Sequence, residues 1–323
     1  MTTTERAPSE GVSRGRRHGL PDGVYRGLLA AVTVVFVGLV VWYLGSIVNQ
    51  SRPAFSSLGI SWIFQKVWDP SHGKYGLLPF ILGTIETTAI ALVLAVPIGL
   101  GTAIALAHLV PDRLRAPLST AVELLAAVPS VVYGLWGLIV LAPVFRSTVE
   151  PFLSSVFGWT GLFNGPDDGV GLLLAGVILF VMVLPTMVAI SRDVLVAVPH
   201  DHIEGALALG ATRWQVLRKV VVPGARTGLL GGFTLAMGRA LGETVAVALV
   251  IGNSPFIAHS VDSPAATLAS LIVNNFGEAT GTERATLFGA ALVLLVIGIA
   301  VNALARVLVR STARGGAASV AVA

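Results

Sequence analysis

Apolar residues in this chain come in long unbroken runs rather than at helical or strand spacing. Six runs stand out, at about 27–48, 77–107, 117–145, 170–190, 227–252 and 285–309. A helix needs about 20 mostly apolar residues to cross the hydrocarbon of a bilayer, so each run predicts a span. The first is too long for a signal-peptide core, and no small-x-small cleavage site follows it, so it is expected to stay as a span. The segment 1–25 is polar and rich in Arg, Ser, Gly and Pro, and is expected to be disordered. Segment 49–76 holds Trp62, Trp68 and Tyr75, aromatic residues that suit a membrane interface. Pro97, Pro129 and Pro185 fall inside runs and should bend their helices. The predicted class is an all-α membrane protein with six transmembrane helices.

Composition agrees with the pattern. The 323 residues are 54% hydrophobic and 12% charged, where soluble domains are roughly a quarter charged. A pI of about 9.8 invites a nucleic-acid reading, but the placement of the basic residues gives a simpler reason. Six spans put both termini on one side. Fifteen Lys and Arg residues fall on that side, Arg6, Arg16, Arg113, Arg218 and Arg314 among them. Five fall on the other: Arg52, Lys66, Lys74, Arg146 and Arg284. That excess predicts both termini and the segment around residue 210 in the cytoplasm. The chain has no cysteine, which excludes disulfides, thiolate metal sites and cysteine nucleophiles.

The segment 201–223 is a polar island between two runs. Asp201 and Glu204 are spaced as a capping box that opens a helix, and Gly210 is placed to end it. Thr212 and Gln215 form a second box, opening a helix that carries Arg213, Trp214, Arg218 and Lys219 and is expected to end at Pro223. Two short helices around a glycine turn could be a helix-turn-helix DNA reader. Spans begin within a few residues on both sides, which leaves such a helix no freedom to enter a groove, so no nucleic-acid partner is expected.

Those residues resemble the cytoplasmic loop of binding-protein-dependent ABC importer permeases, whose pattern is E-A-A, three residues, Gly, nine residues, I-x-L-P. Glu204, Gly205, Ala206, Gly210 and Val220 to Pro223 stand at these spacings. Gly205 replaces the first Ala, and Val220 and Val222 replace Ile and Leu. The resemblance implies a coupling helix that docks on an ATPase subunit, with Glu204, Gly205, Ala206, Gly210, Arg213 and Trp214 in the docking surface.

Four charged residues inside the predicted spans are candidates for a buried role: Glu86, Glu123, Arg239 and Glu243. Each charge at mid-depth costs roughly 2.5–3.5 kcal/mol on insertion scales. On a continuous helix Glu243 would sit one turn beyond Arg239 on the same face. A structural ion pair is one reading. A substrate path is the other, since buried ion pairs are seldom superior to apolar packing. A guanidinium suits a tetrahedral oxyanion through parallel charge-assisted hydrogen bonds. A carboxylate beside it suits an anion that still carries a proton, as hydrogen phosphate does and sulfate does not. Glu123, Ser130 and Tyr133 of the third run are further path candidates, and Glu86 reads as structural. Gly228 and Gly232, and again Gly238 and Gly242, have the G-x-x-x-G spacing of close helix packing. His200 and His202 flank the island without a third ligand, so no metal is expected. No P-loop pattern and no nucleophile–base set occurs, so catalysis is not expected of this chain.

Two stretches extend the resemblance. VELLAAVPSVVYGLWGL at 122–138 and GRALGETVAVALVIGN at 238–253 are similar to phosphate ABC importer permeases of the PstC type. The resemblance spans about 77–310 and implies the MetI-like fold of type I importers. It implies a PstA-type sister permease, a PstB-type ATPase dimer, a PstS-type phosphate-binding protein, and membrane lipid around the spans. It links Arg239 and Glu243 to phosphate transport. No cofactor is expected on this chain, ATP and Mg being used by the partner ATPase. The implied organisation is a cytoplasmic tail 1–25, a first helix and external loop 26–76, a permease core 77–310 with coupling loop 200–223, and a cytoplasmic tail 311–323. A permease for sulfate, molybdate or phosphonate, a homodimer in place of a sister subunit, and a self-contained secondary transporter are the alternatives.

Overall fold

The computed structural model describes residues 22–320, with side chains described over 23–307. The expected disorder of the N-terminal tail falls mostly on 1–21, outside the described residues. The chain divides into a unit ending at Ser46 and a second starting at Ile47. Helix α1 (Asp22–Leu58) begins in the first and ends in the second, and is longer than the run that predicted it. Its apolar side chains in the first unit, such as Val34 and Trp42, are exposed, as a span bathed in acyl chains requires.

After α1 comes a short antiparallel hairpin, β1 (Trp68–Asp69) and β2 (Lys74–Tyr75), which the six-helix reading lacked. In its turn Asp69 accepts the Ser71 hydroxyl and approaches His72 Nδ1 at 2.6 Å. These contacts hold its carboxyl below the usual range. Trp68 stands edge-on to both Tyr75 and Phe80. Trp62 is not interfacial as expected: it is buried with Ala54, Leu77 and Leu287, and Gly289 gives its ring room.

The helices that follow are α2 (Leu78–Ile104), α3 (Asp112–Ala127), α4 (Ser130–Trp136), α5 (Ala142–Val144), α6 (Glu150–Phe157) and α7 (Leu172–Val196). After them come α8 (His200–Ala208), α9 (Arg213–Val216), α10 (Val222–Gly242), α11 (Val245–Val250), α12 (Leu268–Asn275) and α13 (Gly281–Val320). Six stretches among the described residues are long and apolar enough to cross a membrane: Gly23–Leu58, Leu78–Leu109, Ser130–Thr160, Leu172–Val196, Arg213–Gly242 and Gly281–Val307. The most extensive pairing is between α2 and α7. Small residues make it possible: Ala91 and Ala95 are fully buried, Gly176 meets Ile90, and Gly99 meets Met187. Where lipid is as apolar as the side chains, close backbone approach and dispersion supply the adhesion. Thr84, Thr87 and Thr88 of α2 donate to carbonyls four residues back at 2.7 Å, so their hydroxyls are satisfied inside the helix.

Prolines explain most of the departures from expectation. Four π-helical turns, at Ala105–Leu109, Gly137–Leu141, Phe145–Val149 and Leu217–Val221, each end two residues before a proline. A proline offers no N–H and its ring crowds the carbonyl of the preceding turn. A widened turn relieves both within a running helix. Pro223 therefore does not end the island's second helix: α9, the π turn and α10 run on from Arg213 to Gly242. At Pro129 the chain breaks instead of bending. Val128 and Pro129 are extended, and the third run splits into α3 and a span that starts at Ser130. Helix α3 has 16 residues, about 24 Å at 1.5 Å per residue, short of the ~30 Å hydrocarbon core. Glu123 is thus outside the candidate spans. The fifth run is broken too, between α10 and α11.

Candidate functional site

The island folds nearly as its punctuation predicts. Gly210 has φ +82°. Its N–H donates to Leu207 and that of Ala211 to Ala206, the paired pattern that closes a helix on a left-handed residue. The Thr212–Gln215 box is formed on both sides, with Gln215 N–H to Thr212 Oγ1 at 3.3 Å and Thr212 N–H to Gln215 Oε1 at 2.8 Å. The Asp201–Glu204 box is not formed. Helix α8 starts at His200 after an extended Pro199, so Asp201 lies inside the first turn and caps nothing. Glu204, Gly205, Gly210, Arg213 and Trp214 are exposed and Ala206 is half-buried. Trp214 and Leu209 are 67% and 90% exposed. Beside this surface a mostly apolar cavity of about 470 Å³ is lined by Ile203, Leu207, Trp214 and Leu217, with His108 and Arg213 at its polar points.

Arg239 and Glu243 are arranged differently from expectation: Arg239 is near the end of the candidate span Arg213–Gly242 and Glu243 lies just beyond it. Arg239 lies in the last turn of α10, and Glu243 is the residue after its end, with an extended backbone at φ −71° and ψ 129°. The helix stops between the two, so they do not share a face, and no ion pair joins them among the described residues. Arg239 Nη1 instead donates to Thr186 Oγ1 of α7 at 3.2 Å. Arg239 and Leu235, one turn earlier, form an exposed strip of α10. The hydrogen bond joins α10 to α7 at Arg239 and Thr186. Tyr133 is buried and donates its hydroxyl to Leu125 O at 2.7 Å, across the α3–α4 break.

Glu123 is exposed on α3 and faces Arg192 of α7 at 3.5 Å. Arg192 also donates to Ser119 at 2.7 Å and to Asp193. Ser130 is the half-buried first residue of α4, and Glu86 lines a separate cavity of about 300 Å³ with His259 and Ser260. Two residues escaped the sequence reading. Thr186 was invisible because a threonine in an apolar run is unremarkable. Arg192 was counted only as a topology charge. The first G-x-x-x-G packs on α7, Gly228 against Val194 and Gly232 against Ile190, while Gly242 meets nothing.

The family profile described as binding-protein-dependent transport system inner membrane component matches residues 95–314. The chain belongs to this family. It is a multi-pass membrane permease component of a transport system that depends on a binding protein. It is 43% identical over 308 residues to a phosphate transport system permease protein PstC of Mesorhizobium japonicum, covering 94% of each chain. A probable PstC protein of Methanocaldococcus jannaschii is 40% identical over 85% of this chain and 89% of its own. A PstC 1 protein of Mycobacterium tuberculosis is 37% identical, covering 76% and 75%. Among solved structures, a bacterial alginate ABC transporter superposes with TM-score 0.59 at 15% identity, over 88% of this chain and 94% of that one. The methionine transporter MetNI superposes with TM-score 0.52 at 20% identity, over 71% and 93%. The permease thus has the MetI-like ABC importer fold. The names of these two structures give chemically unlike cargoes, methionine and alginate, so the fold alone does not name a substrate.

Proposed function

We propose that this permease forms half of the membrane path of an ATP-driven phosphate importer. The observation that carries the reading is full-length similarity to phosphate permeases from distant organisms, spanning 94% of both chains in one case. The chemistry of the site supports it. Arg239 is charged, exposed, and held by one neutral hydroxyl. A guanidinium has five N–H donors, so most remain to grip an anion. Such a group at membrane depth is costly unless it faces an aqueous path or a partner. Glu243, half-buried at the helix break, accepts a hydrogen bond from the O–H of hydrogen phosphate and repels fully ionised sulfate. Broken spans supply backbone groups to substrate in other transporters, and the break at Glu243 is of that kind.

The remaining parts are assigned by the same reading. The exposed loop from Glu204 to Trp214 docks on a PstB-type ATPase, which supplies ATP and Mg; this chain binds neither. A PstA-type sister permease completes the path, and a PstS-type protein delivers phosphate from outside. Both termini and the docking loop are cytoplasmic. Residues 77–310 form the permease core, with 26–76 as an accessory helix and loop.

The test uses the whole pump in vesicles. Arg239→Met should lower phosphate uptake on the order of 100-fold, the loss of two charged hydrogen bonds, with all subunits still co-purifying. Glu243→Gln should retain uptake but lose about tenfold of the preference for phosphate over sulfate. Wild-type uptake in an assembled Arg239→Met pump would overturn the assignment. Competition by sulfate, molybdate or phosphonate at equal concentration would redirect it to another oxyanion.

A further inference from the structure

Six threonines in the helices of this permease share one habit. Thr33, Thr84, Thr87, Thr88, Thr102 and Thr234 each donate the hydroxyl to the carbonyl four residues back, at 2.7–2.8 Å. Thr186 departs from it. Its oxygen is turned across to α10 and accepts Arg239 Nη1 at 3.2 Å. An oxygen used as acceptor still has its own proton to give, and no acceptor takes it among the described residues. Thr186 is half-buried beside the exposed Arg239, so its free O–H is open to an incoming anion.

We infer that Thr186 is a direct phosphate-binding residue, its Oγ1–H and the N–H groups of Arg239 donating to different oxygens of one tetrahedral anion. The assignment rests on the phosphate reading above and adds a residue to its site. The Thr186–Arg239 bond fixes the distance between the two donors before phosphate arrives, so little ordering is needed on binding. A tetrahedral oxyanion has several oxygens to offer such a pair, whereas a carboxylate has two in one plane.

The experiment measures inorganic phosphate uptake by the complete pump in vesicles. Thr186→Val keeps the shape and removes the hydroxyl. It should raise KM about tenfold, and Thr186→Ser should restore most of the affinity. In an Arg239→Lys background, Thr186→Val should add much less than it does alone, because the two donors act as a unit. If Thr186→Val does not assemble, Thr186→Ala takes its place with the same readout. A wild-type KM for Thr186→Val, beside a crippled Arg239→Met, overturns the role of Thr186 and leaves the phosphate reading standing. Equal losses for Thr186→Val and Thr186→Ser overturn it too, since packing and not the hydroxyl would then matter. Wild-type uptake in Arg239→Met instead removes the reading beneath it.

Discussion

Gly205 and Gly210 share one short loop and respond oppositely to a methyl group. Gly205 is inside α8, where a Cβ meets nothing within 4 Å. Glycine inside a helix costs about 0.5–1 kcal/mol relative to alanine, so Gly205→Ala should stabilise the loop by that amount and keep uptake. Gly210 also has open space, but its φ is +82°, where an L side chain costs roughly 1–2 kcal/mol. Gly210→Ala should destabilise the permease by about that much and reduce ATP-coupled uptake. Thermal unfolding in detergent and vesicle uptake separate the two; similar effects at both positions would contradict the turn geometry. Gly210 was legible in the sequence because a helix stop is a local event. The partner of Arg239 was not. The chain proposed Glu243, four residues on, but that holds only while the helix continues. The extended backbone at Glu243 removes it and leaves Thr186, 53 residues away in sequence.

Individual helices were predicted in number and misjudged at their edges. The second and fourth spans fall close to their runs, since an apolar run bounded by polar residues ends where its hydropathy does. The third and fifth do not, because proline and helix breaks are apolar-compatible and leave hydropathy unchanged. A π turn before Pro223 continues a helix that the same residue was expected to end. Helix pairing offers a test at this scale. A Cβ on Gly228 would collide with Val194 of α7, whereas one on Gly242 meets nothing. Gly228→Ala should cost about 1–3 kcal/mol through overpacking, and Gly242→Ala much less. Detergent melting curves with the two variants unfolding alike would show that the α7–α10 contact is not tight.

For the whole molecule the decisive distinction is between a pump component and a self-contained carrier. The loop 200–214, proposed to dock on an ATPase, presents Trp214 and Leu209 to solvent, an apolar surface that a carrier working alone does not need. The purified permease in vesicles should therefore show no phosphate uptake, and uptake should appear only with sister permease, binding protein and ATPase, and only with ATP. Transport by this chain alone would refute the coupling role of 200–223. Pull-down in gentle detergent should recover an ATPase subunit, and exchanging Trp214 for Ala should weaken that recovery about tenfold or more, as loss of an exposed aromatic anchor does.

Membrane character, helix number, the Gly210 stop, the Thr212 cap and family membership were all written along the chain. Each depends on residues within a few positions of one another or on composition summed over a run. The separation of α3 from its span, the parting of Arg239 from Glu243, the Arg192 link from α7 to α3 and the meeting of Arg239 with Thr186 came only with the folded helices. Those depend on which faces of distant segments approach within hydrogen-bond reach, and that distance is set by packing of the whole bundle rather than by any local spacing.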